Sequence, residues 1–497
     1  MPLRIMLVNA PNELNHDQAS NCACYPHIGI VQLATAARAE FGSEVEVEVV
    51  DGGISDTGAV QDAIRTSKPE VVGISALTPT YGEALKIAAT AQREGATVVL
   101  GDDHAGFFPE WILRSRPCVD YVIVNDVGEV PFVEFVGAVL GRTSLERVSS
   151  LVYREGDAIK RNAAPRYALT DRNTIPDLAL IEGDLEVYGR NYSRQFGHLH
   201  AHTVKPITIN NARGCENGKK RCTYCSIADL VVNTGEPSVF WDAVERYHSE
   251  FGINLFFEVY DSFTASPRYV ESLIAAMPRR IGRKLDGGEI QLMVYARALG
   301  LTKRNNTEKL RRLGVTRANI GLDAADSEML EAQRKNKTTY ETNIEAVRLL
   351  NCAGISVHAS YIAGAPGERE DTLERTINGI RRMLGEVELA SVEFSRFIPL
   401  PNSPAWDLVA DYDHPRFFRD QAEIDLYLER LGISMTLEEH RCLSVRYRER
   451  DLLDIDELAR VWIENFTHID HEYALERIAE ADAVIRAHNV RTGKNVG

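Results

Sequence analysis

Short apolar, β-rich runs recur through the first 145 residues, and stretches with helical periodicity separate them. The strand-like runs lie at 4–10, 45–51, 71–75, 97–101 and 121–125. The stretch YGEALKIAATAQREG between two of them has apolar residues at three- and four-residue spacing. Buried strands that alternate with helices predict an α/β fold with a doubly wound parallel sheet over 1–145. Such sheets bind ligands at the carboxyl ends of their strands.

A second alternating region begins at about residue 206. Its strand candidates are PITINNA, INLFFEVYD, IQLMVYAR, RANIGLD, SVHASYIAG and SVEFSRFIP. Six βα units predict a partial (β/α)6 barrel over 206–404, in which chemistry belongs at the carboxyl ends of the strands. The segment 146–205 is predicted to be a hairpin followed by an irregular linker. Residues 405–497 are rich in Glu, Arg and Leu, which predicts a helical C-terminal region.

The charge and composition of the chain argue against some kinds of binding partner. The chain has 497 residues and a net charge of −16, without a long Lys/Arg cluster, so we expect no nucleic-acid partner. No run of eighteen apolar residues occurs and the N-terminus lacks the apolar core of a signal peptide, so we expect a cytoplasmic protein that makes no membrane contact. In a reducing compartment, a tight cysteine cluster indicates a metal-binding or catalytic site.

That cluster is RGCENGKKRCTYC, with Cys215, Cys222 and Cys225. Three cysteines with a distant histidine, such as His198, His200 or His202, could form a structural zinc site. Cys222 and Cys225 could also form a redox pair, although Cys215 would then have no role. A [4Fe–4S] cluster held by three thiolates would leave one iron open for an amine and a carboxylate. The position after the first strand of a barrel favours the cluster, but spacing alone does not decide.

The 206–404 region resembles the radical S-adenosylmethionine (SAM) enzymes. Cys222-Thr223-Tyr224-Cys225 matches the second half of their cysteine signature, whereas the first gap has six residues instead of three. YDSFTASP (260–267), VYARALGLT (294–302), NIGLDAADSEMLEAQRKNKTT (319–339), IAGAPGEREDTLERTI (362–377) and FIPLPNSPAW (397–406) resemble later family segments in the same order. The resemblance implies that the three cysteines bind a [4Fe–4S] cluster. It implies that Tyr224, Asp261, Arg297 and Asp323 lie near SAM.

The 1–145 region resembles the cobalamin-binding domain that precedes the radical half in one branch of that family. YPHIGIVQLATAAR (25–38), PEVVGISALTPTYGEAL (69–85) and VVLGDDHAGFFPE (98–110) carry the resemblance. The D-x-H-x-x-G motif that would supply a histidine to cobalt is absent. The resemblance implies that Thr78, Thr80, Tyr81, Gly101 and His104 lie near the cobalamin. Two glycine-rich loops of the branch are replaced here by Gly101-Asp102-Asp103-His104 and Asn125-Asp126-Val127-Gly128, whose carboxylates would repel a phosphate unless they are paired.

The remaining cysteines give weaker signals. Cys22 and Cys24 follow the first strand, where they could act as a catalytic or soft-ligand pair or be ordinary cysteines. His16 and His27 lie in the same loop, where roles in proton transfer or at the surface are open. Cys118, Cys352 and Cys442 lie in apolar or helical stretches, which predicts buried thiols.

The resemblance implies a small-molecule substrate between the two domains and a flavodoxin or ferredoxin as electron donor. The expected reaction is cobalamin-dependent methyl transfer to an unactivated carbon or phosphorus. The alternatives are rearrangement, dehydrogenation, cyclisation or transfer of the SAM 3-amino-3-carboxypropyl group, and, from another class, a non-catalytic zinc protein.

Overall fold

The protein is described from a computed structural model. The structure describes residues 1–12, 23–124, 127–169, 174–197, 203–335, 337–448 and 450–491. Several residues singled out above lie outside the described residues, namely His16, Cys22, Asn125, Asp126, His198, His200 and His202.

The first sheet has seven strands, which are β1 Leu3–Asn9, β2 Val45–Asp51, β3 Val71–Ser75, β4 Thr97–Gly101, β5 Tyr121–Ile123, β6 Leu151–Glu155 and β7 Ala158–Arg161. Their spatial order is β2-β1-β3-β4-β5-β6-β7. The first five strands are parallel, and the β6–β7 hairpin pairs antiparallel with β5. The predicted hairpin therefore extends the first sheet.

Helices cover both faces of this sheet. They are α1 Ile28–Phe41, α2 Thr57–Ser67, α3 Tyr81–Arg93, α4 Asp102–Phe107, α5 Pro109–Ser115 and α6 Glu129–Val139. Alternate residues of β1 enter different apolar clusters, because Ile5 and Leu7 pack with α1 and α6 whereas Met6 and Val8 pack with α2 and α3. The predicted doubly wound parallel sheet is confirmed.

The segment that joins the two sheets is more ordered than the sequence predicted. A 3-10 turn at Leu178–Asp184 leads into helix α7, Leu185–Phe196. Leu185, Tyr188 and Tyr192 form its buried face at helical spacing. Two of the three are tyrosines, whose polar hydroxyls weaken the apolar pattern.

The second sheet contains β8 Pro206–Ile209, β11 Leu255–Glu258, β12 Gln291–Ala296, β13 Val315–Asp323, β14 Ser356–Ala363 and β15 Ser391–Arg396. A separate antiparallel pair is formed by β9 Ala212–Arg213 and β10 Asn233–Thr234. All six strands of the sheet are parallel, in the order β8-β11-β12-β13-β14-β15. In the described part of the chain β8 and β15 do not pair, so the barrel is open, as predicted.

The remaining helices are α8 Pro237–Phe251, α9 Pro267–Ala276, α10 Arg279–Asp286, α11 Ala298–Leu301, α12 Arg304–Arg312, α13 Ser327–Ala332, α14 Tyr340–Cys352, α15 Glu370–Glu386, α16 Pro404–Val409, α17 Gln421–Arg430, α18 Leu437–Tyr447, α19 Ile455–Phe466 and α20 His471–Arg491. The predicted helical C-terminal region is confirmed, and α20 packs against the edge strand β15. Across the described ranges, every helix falls short of the length and apolar character that a bilayer-crossing segment needs.

Candidate active site

The three clustered cysteines lie in the loop after β8, at the carboxyl edge of the second sheet. The β9–β10 pair closes the base of this loop, with Arg213 opposite Asn233. Gly214 has a φ of +87°, and a Cβ there would lie 2.2 Å from the carbonyl oxygen of Val231. The backbone N–H of Cys225 donates to the carbonyl of Cys222 at 3.0 Å, which closes a tight turn. The local backbone therefore requires glycine at 214 to bring the cysteines to this edge.

Without a metal, the environment of the cysteines favours neutral thiols. Burial, assisted by Glu216, raises the pKa of Cys215 to about 12. Burial, assisted by Cys222, raises the pKa of Cys225 to about 11. Within the described ranges, no group of three His, Cys, Asp or Glu side chains, the three clustered cysteines included, is already arranged to hold a metal ion. A bound metal ion would supply the positive charge that thiolates at these positions need.

Tyr224 connects the cysteine loop to the end of β13. Its hydroxyl donates to Asp323 Oδ2 at 2.7 Å and accepts from Lys335 Nζ at 3.3 Å. Lys335 also forms an ion pair with Asp323 and donates to the carbonyl of Gly321 at 2.9 Å. Asp323 and Lys335 are 2% and 5% exposed. Lys335 was missed in the sequence, because its role depends on a carboxylate twelve residues earlier.

The other two residues expected near SAM also contact the cysteine loop. Asp261 Oδ2 accepts from the backbone N–H of Gly214 at 2.6 Å. Arg297, which is 8% exposed, donates from Nη1 to Glu216 Oε1 at 3.1 Å and to Asn217 Oδ1 at 2.9 Å. Its Nε and Nη2 have no hydrogen-bond partner among the described residues. Unsatisfied buried guanidinium donors beside the cysteine loop fit the carboxylate of an amino-acid ligand such as SAM.

A cavity of about 710 Å³ lies between the carboxyl edges of the two sheets. The first sheet contributes loop residues that include Ser75, Leu77, Thr80, Gly101, Asp102 and Gly106, and the second contributes Thr208, Asn210, Phe257, Val259 and Tyr295. An apolar arm lined by Leu33, Val99, Ile123 and Phe132 extends between the first sheet and helices α1 and α6. This volume lies in the upper part of the range for pockets that bind small molecules and cofactors.

The residues expected near cobalamin separate into two groups. Thr80 and Gly101 line the cavity, and a Cβ at Gly101 would meet no atom within 4 Å. Thr78, Tyr81 and His104 do not line it. His104 is fully buried, with Thr78 Oγ1 at 3.0 Å from Nδ1, and burial lowers its pKa to about 4. The structure therefore brings only the first group to the surface that a ligand would touch.

Asp451, in the C-terminal region, forms hydrogen bonds with Tyr81 and His104, two residues of the second group. Tyr81 donates from its hydroxyl to Asp451 Oδ2 at 2.6 Å, and His104 Nε2 lies 2.6 Å from the carbonyl oxygen of Asp451. Arg116 donates to both carboxylate oxygens of Asp451, from Nε at 2.8 Å and from Nη2 at 2.9 Å. Tyr81 and His104 thus support the loop at 77–80 from beneath.

Asp102, one of the carboxylates in the loop that is rich in glycine in the family branch, is paired with neighbouring side chains. Its charge is therefore compensated and does not prevent a phosphate from binding nearby. Ser75 donates to Asp102 Oδ2 at 2.5 Å, and His27 Nε2 lies 3.7 Å from the same oxygen. Burial would lower the pKa of His27, but hydrogen bonding and attraction to Asp102 raise it above its usual value. Burial would raise the pKa of Asp102, but its contacts with His27 and Ser75 lower it. All three residues line the cavity.

The cysteines outside the cluster do not form a second site in the described part of the chain. Cys24 is fully buried and donates from Sγ to Gln195 Oε1 at 3.0 Å, and it does not line the cavity. The prediction of buried thiols is wrong for Cys352 and Cys442, which are exposed, and Cys118 is partly exposed. Cys352 and Cys442 fall on the outer faces of α14 and α18, whereas Cys118 lies in the turn between α5 and β5.

Two family models match the chain. A B12 binding domain matches residues 22–136, and the radical SAM superfamily matches residues 209–380. The chain is 24% identical over 414 residues to an uncharacterized methyltransferase of Pyrococcus horikoshii, with 82% of this chain and 83% of that protein covered. It is 27% identical over 374 residues to an anaerobic magnesium-protoporphyrin IX monomethyl ester cyclase of Cereibacter sphaeroides, with 72% and 56% covered.

Solved structures share the whole fold. The cobalamin-dependent SAM radical enzyme OxsB, with aqua-cobalamin bound, has a TM-score of 0.65 at 14% identity, over 100% of this chain and 82% of that one. The radical SAM methyltransferase TsrM from Kitasatospora setae, with cobalamin and a [4Fe–4S] cluster bound, has a TM-score of 0.64 at 17% identity, over 99% and 100%. The predicted radical SAM core and the cobalamin-type domain are both confirmed. The chain therefore carries a region that matches the B12 binding domain ahead of a region that matches the radical SAM superfamily, in the same fold as these two enzymes.

Proposed function

We propose that this radical SAM enzyme transfers a methyl group from SAM, by way of cobalamin, to an unactivated carbon or phosphorus of a small molecule. The observation that carries the proposal is the single cavity that joins the carboxyl edges of both sheets. A ligand held by the first sheet and one held by the second would meet there, and the substrate would lie between them.

The residues on the first sheet fit cobalamin. Gly101 and Gly106 line the cavity, and a Cβ at either position would meet no atom within 4 Å, so the backbone can approach a broad ligand closely. The apolar arm at Leu33 and Phe132 suits the benzimidazole end of the nucleotide tail. When bound, cobalamin supplies a cobalt centre that can carry a methyl group. We infer that residues 1–145, extended by the β6–β7 hairpin, form this cobalamin-holding unit.

The residues on the second sheet fit the cluster and SAM. Cys215, Cys222 and Cys225 would bind three irons and leave the fourth for the amine and carboxylate of SAM. Tyr224 and Asp323 would position SAM from below, and Lys335 neutralises Asp323. We infer that 206–404 is the radical unit and that 405–497 supports both units. An electron donor such as a flavodoxin or ferredoxin would reduce the cluster.

The substrate side of the cavity has an aromatic wall. Tyr25, Phe257 and Tyr295 line it, and their rings are in contact, with centroids 5.4 Å apart for Tyr25 and Phe257 and 4.9 Å for Phe257 and Tyr295. Thr208 and Asn210 add polar groups at the end of β8. A planar substrate with a few polar groups suits this lining. TsrM, which shares the fold, has been solved with tryptophan bound.

One anaerobic preparation tests the proposal. The protein is reconstituted with iron and sulfide, mixed with cobalamin, desalted, and analysed for iron and cobalt; we expect about four irons and one cobalt per chain. Incubation with SAM that carries a deuterated methyl group, a reductant and a panel of aromatic substrates should give S-adenosylhomocysteine and a deuterated product. Protein that retains iron but no cobalamin would overturn the methyl-transfer proposal.

The products of SAM separate the alternatives. The relation to magnesium-protoporphyrin cyclases makes a radical reaction without methyl transfer the second candidate. That reaction would give 5′-deoxyadenosine without S-adenosylhomocysteine. Methylthioadenosine would indicate aminocarboxypropyl transfer, the reaction that a catalytic or soft-ligand pair of Cys22 and Cys24 would favour. Cys24 is fully buried and does not line the cavity, which does not support that reaction.

A further inference from the structure

Two of the six residues between Cys215 and Cys222 contact Arg297, the arginine expected to lie near SAM. Glu216 Oε1 and Asn217 Oδ1 both accept from Arg297 Nη1, at 3.1 and 2.9 Å. Both acceptors belong to the six-residue gap between Cys215 and Cys222, which is three residues longer than the gap in the family signature. The insertion therefore has a specific contact inside the site, which a simple spacer would not need.

This contact leaves one edge of the guanidinium free. Nε and Nη2 of Arg297 are buried and without a hydrogen-bond partner among the described residues. The same two nitrogens of Arg116 bind both oxygens of Asp451 in this protein, at 2.8 and 2.9 Å. Nε and Nη2 form the edge of arginine that matches a carboxylate in a bidentate pair. The free edge of Arg297 is thus complementary to a ligand carboxylate.

We propose that Glu216 and Asn217 are positioning residues that hold Nη1 of Arg297 and turn its Nε–Nη2 edge toward the carboxylate of SAM. The inference rests on the proposed binding of SAM at the cluster. Because Glu216 follows directly after the cluster ligand Cys215, one loop would fix both the cluster and the arginine. SAM would then be oriented by the iron and by Arg297 together.

The ion pair between Glu216 and Arg297 supports this role for Glu216. Arg297 Nη1 lies 3.1 Å from Glu216 Oε1, and a guanidinium as buried as that of Arg297 needs such an anionic partner.

The test compares Glu216→Ala, Asn217→Ala and Glu216→Gln with Lys220→Ala, which changes an exposed residue of the same insertion. Each reconstituted protein is analysed for iron and sulfide, for SAM affinity by equilibrium dialysis, and for the change that SAM causes in the electron paramagnetic resonance spectrum of the reduced cluster. We expect Glu216→Ala to keep its iron and to bind SAM about tenfold more weakly, because a charge-assisted contact is lost. Glu216→Gln, which keeps an acceptor oxygen, should recover part of the affinity, and Lys220→Ala should behave as wild type.

Two results would overturn the proposal. Wild-type SAM affinity and spectra in Glu216→Ala and Asn217→Ala would make the insertion a spacer. Loss of iron in these variants would assign Glu216 and Asn217 to cluster assembly. A wild-type protein that holds its iron but binds no SAM would instead contradict the proposed function on which this role depends.

Discussion

Asp102 combines backbone strain with a charge that faces the cavity. Its φ is +75°, a conformation that costs an L-residue about 1–2 kcal/mol. The branch that this chain resembles has glycine in this loop, so the aspartate needs compensation. Its side chain supplies it by accepting from Ser75 and from the backbone N–H of Asp103 at 2.8 Å, and by pairing with His27. Strain retained at a ligand cavity is typical of a functional position.

The His27–Asp102 pair gives stability a predictable pH dependence. Because the pKa of His27 is raised in the folded protein, its interaction with Asp102 stabilises the fold fully below pH 6.5, the usual pKa of histidine. This stabilisation is lost as the pH rises through the raised pKa. Because the pKa of Asp102 is lowered, its ionised carboxylate stabilises the fold fully above pH 3.8, the usual pKa of aspartate. This stabilisation is lost as the pH falls through the lowered pKa. Asp102→Asn should therefore lower the thermal midpoint most between these two usual values, by the equivalent of about 1 kcal/mol, and less at alkaline pH. Differential scanning fluorimetry of the cobalamin-free protein measures it.

The control for that measurement is Asp62→Asn, because Asp62 is exposed and its ion pair is with Arg65 on the same helix. An effect of Asp102→Asn that is equal at acidic and alkaline pH would contradict the assigned ion pair.

Lys335 is the residue whose removal should cost most in the radical half. Lys335→Met would leave Asp323, which is 2% exposed, without its cation, and breaking a buried ion pair typically costs about 3–5 kcal/mol. Adding Asp323→Asn should recover part of the loss, because the double variant no longer buries a lone charge. Thermal midpoints of both single variants and the double variant measure the coupling. Strictly additive effects would show that the two side chains do not interact.

At the scale of elements, the parallel strands could be predicted because they are apolar on both faces. Ile5 and Met6 are both buried, on opposite sides of the same sheet, and such runs are visible in any sequence. Helix α7 could not be predicted, because its buried face uses Tyr188 and Tyr192, and the hydroxyl of Tyr188 needs Asp51 as acceptor. The three cysteines of the candidate site are recognisable as a cluster in the sequence, although their spacing alone does not decide between zinc, a redox pair and an iron–sulfur cluster. Contacts such as Glu216 with Arg297 could not, because 81 residues separate the partners.

The loop after β8 should depend on one glycine. Gly214→Ala would force a Cβ to within 2.2 Å of the Val231 carbonyl oxygen, so the loop must move. We expect the variant to fold but to retain much less iron after reconstitution, measured by iron analysis together with circular dichroism.

Gly156→Ala is the matched control. Gly156 also has a positive φ, +59°, but a Cβ there would meet nothing within 4 Å. It should lose only the roughly 1 kcal/mol that the backbone conformation costs and should retain its iron. Equal iron content in both alanine variants would show that the cysteine loop tolerates the shift.

At the scale of the whole molecule, Asp451 fastens the C-terminal helices to the first sheet. Its carboxylate, which binds Arg116 and Tyr81, has a lowered pKa: burial would raise it, but hydrogen bonds from Arg116 and Tyr81 outweigh burial. This contribution is present above the usual aspartate value and is lost on acidification. Asp451→Asn should lower the stability by about 2 kcal/mol at neutral pH and reduce retention of cobalamin on desalting.

Asp456→Asn serves as control, because Asp456 is exposed and pairs with Arg396 of the second sheet. Unchanged cobalamin retention in Asp451→Asn would show that the loop at 77–80 keeps its shape without this support.

Because Asp451 supports Tyr81 and His104, proteolytic cleavage near it would affect the cavity although the clustered cysteines lie elsewhere. Asp451 lies between α18 and α19 beside the exposed Leu452, and a protease that cut the chain at Leu452 would leave both sheets and the three clustered cysteines intact. The broken end would nevertheless release Tyr81 and His104, and with them the floor beneath the 77–80 loop. We expect such a cleaved protein to keep the brown colour of its iron–sulfur cluster and to lose the red colour of cobalamin. Loss of the red colour alone would therefore reveal this cleavage in a stored preparation.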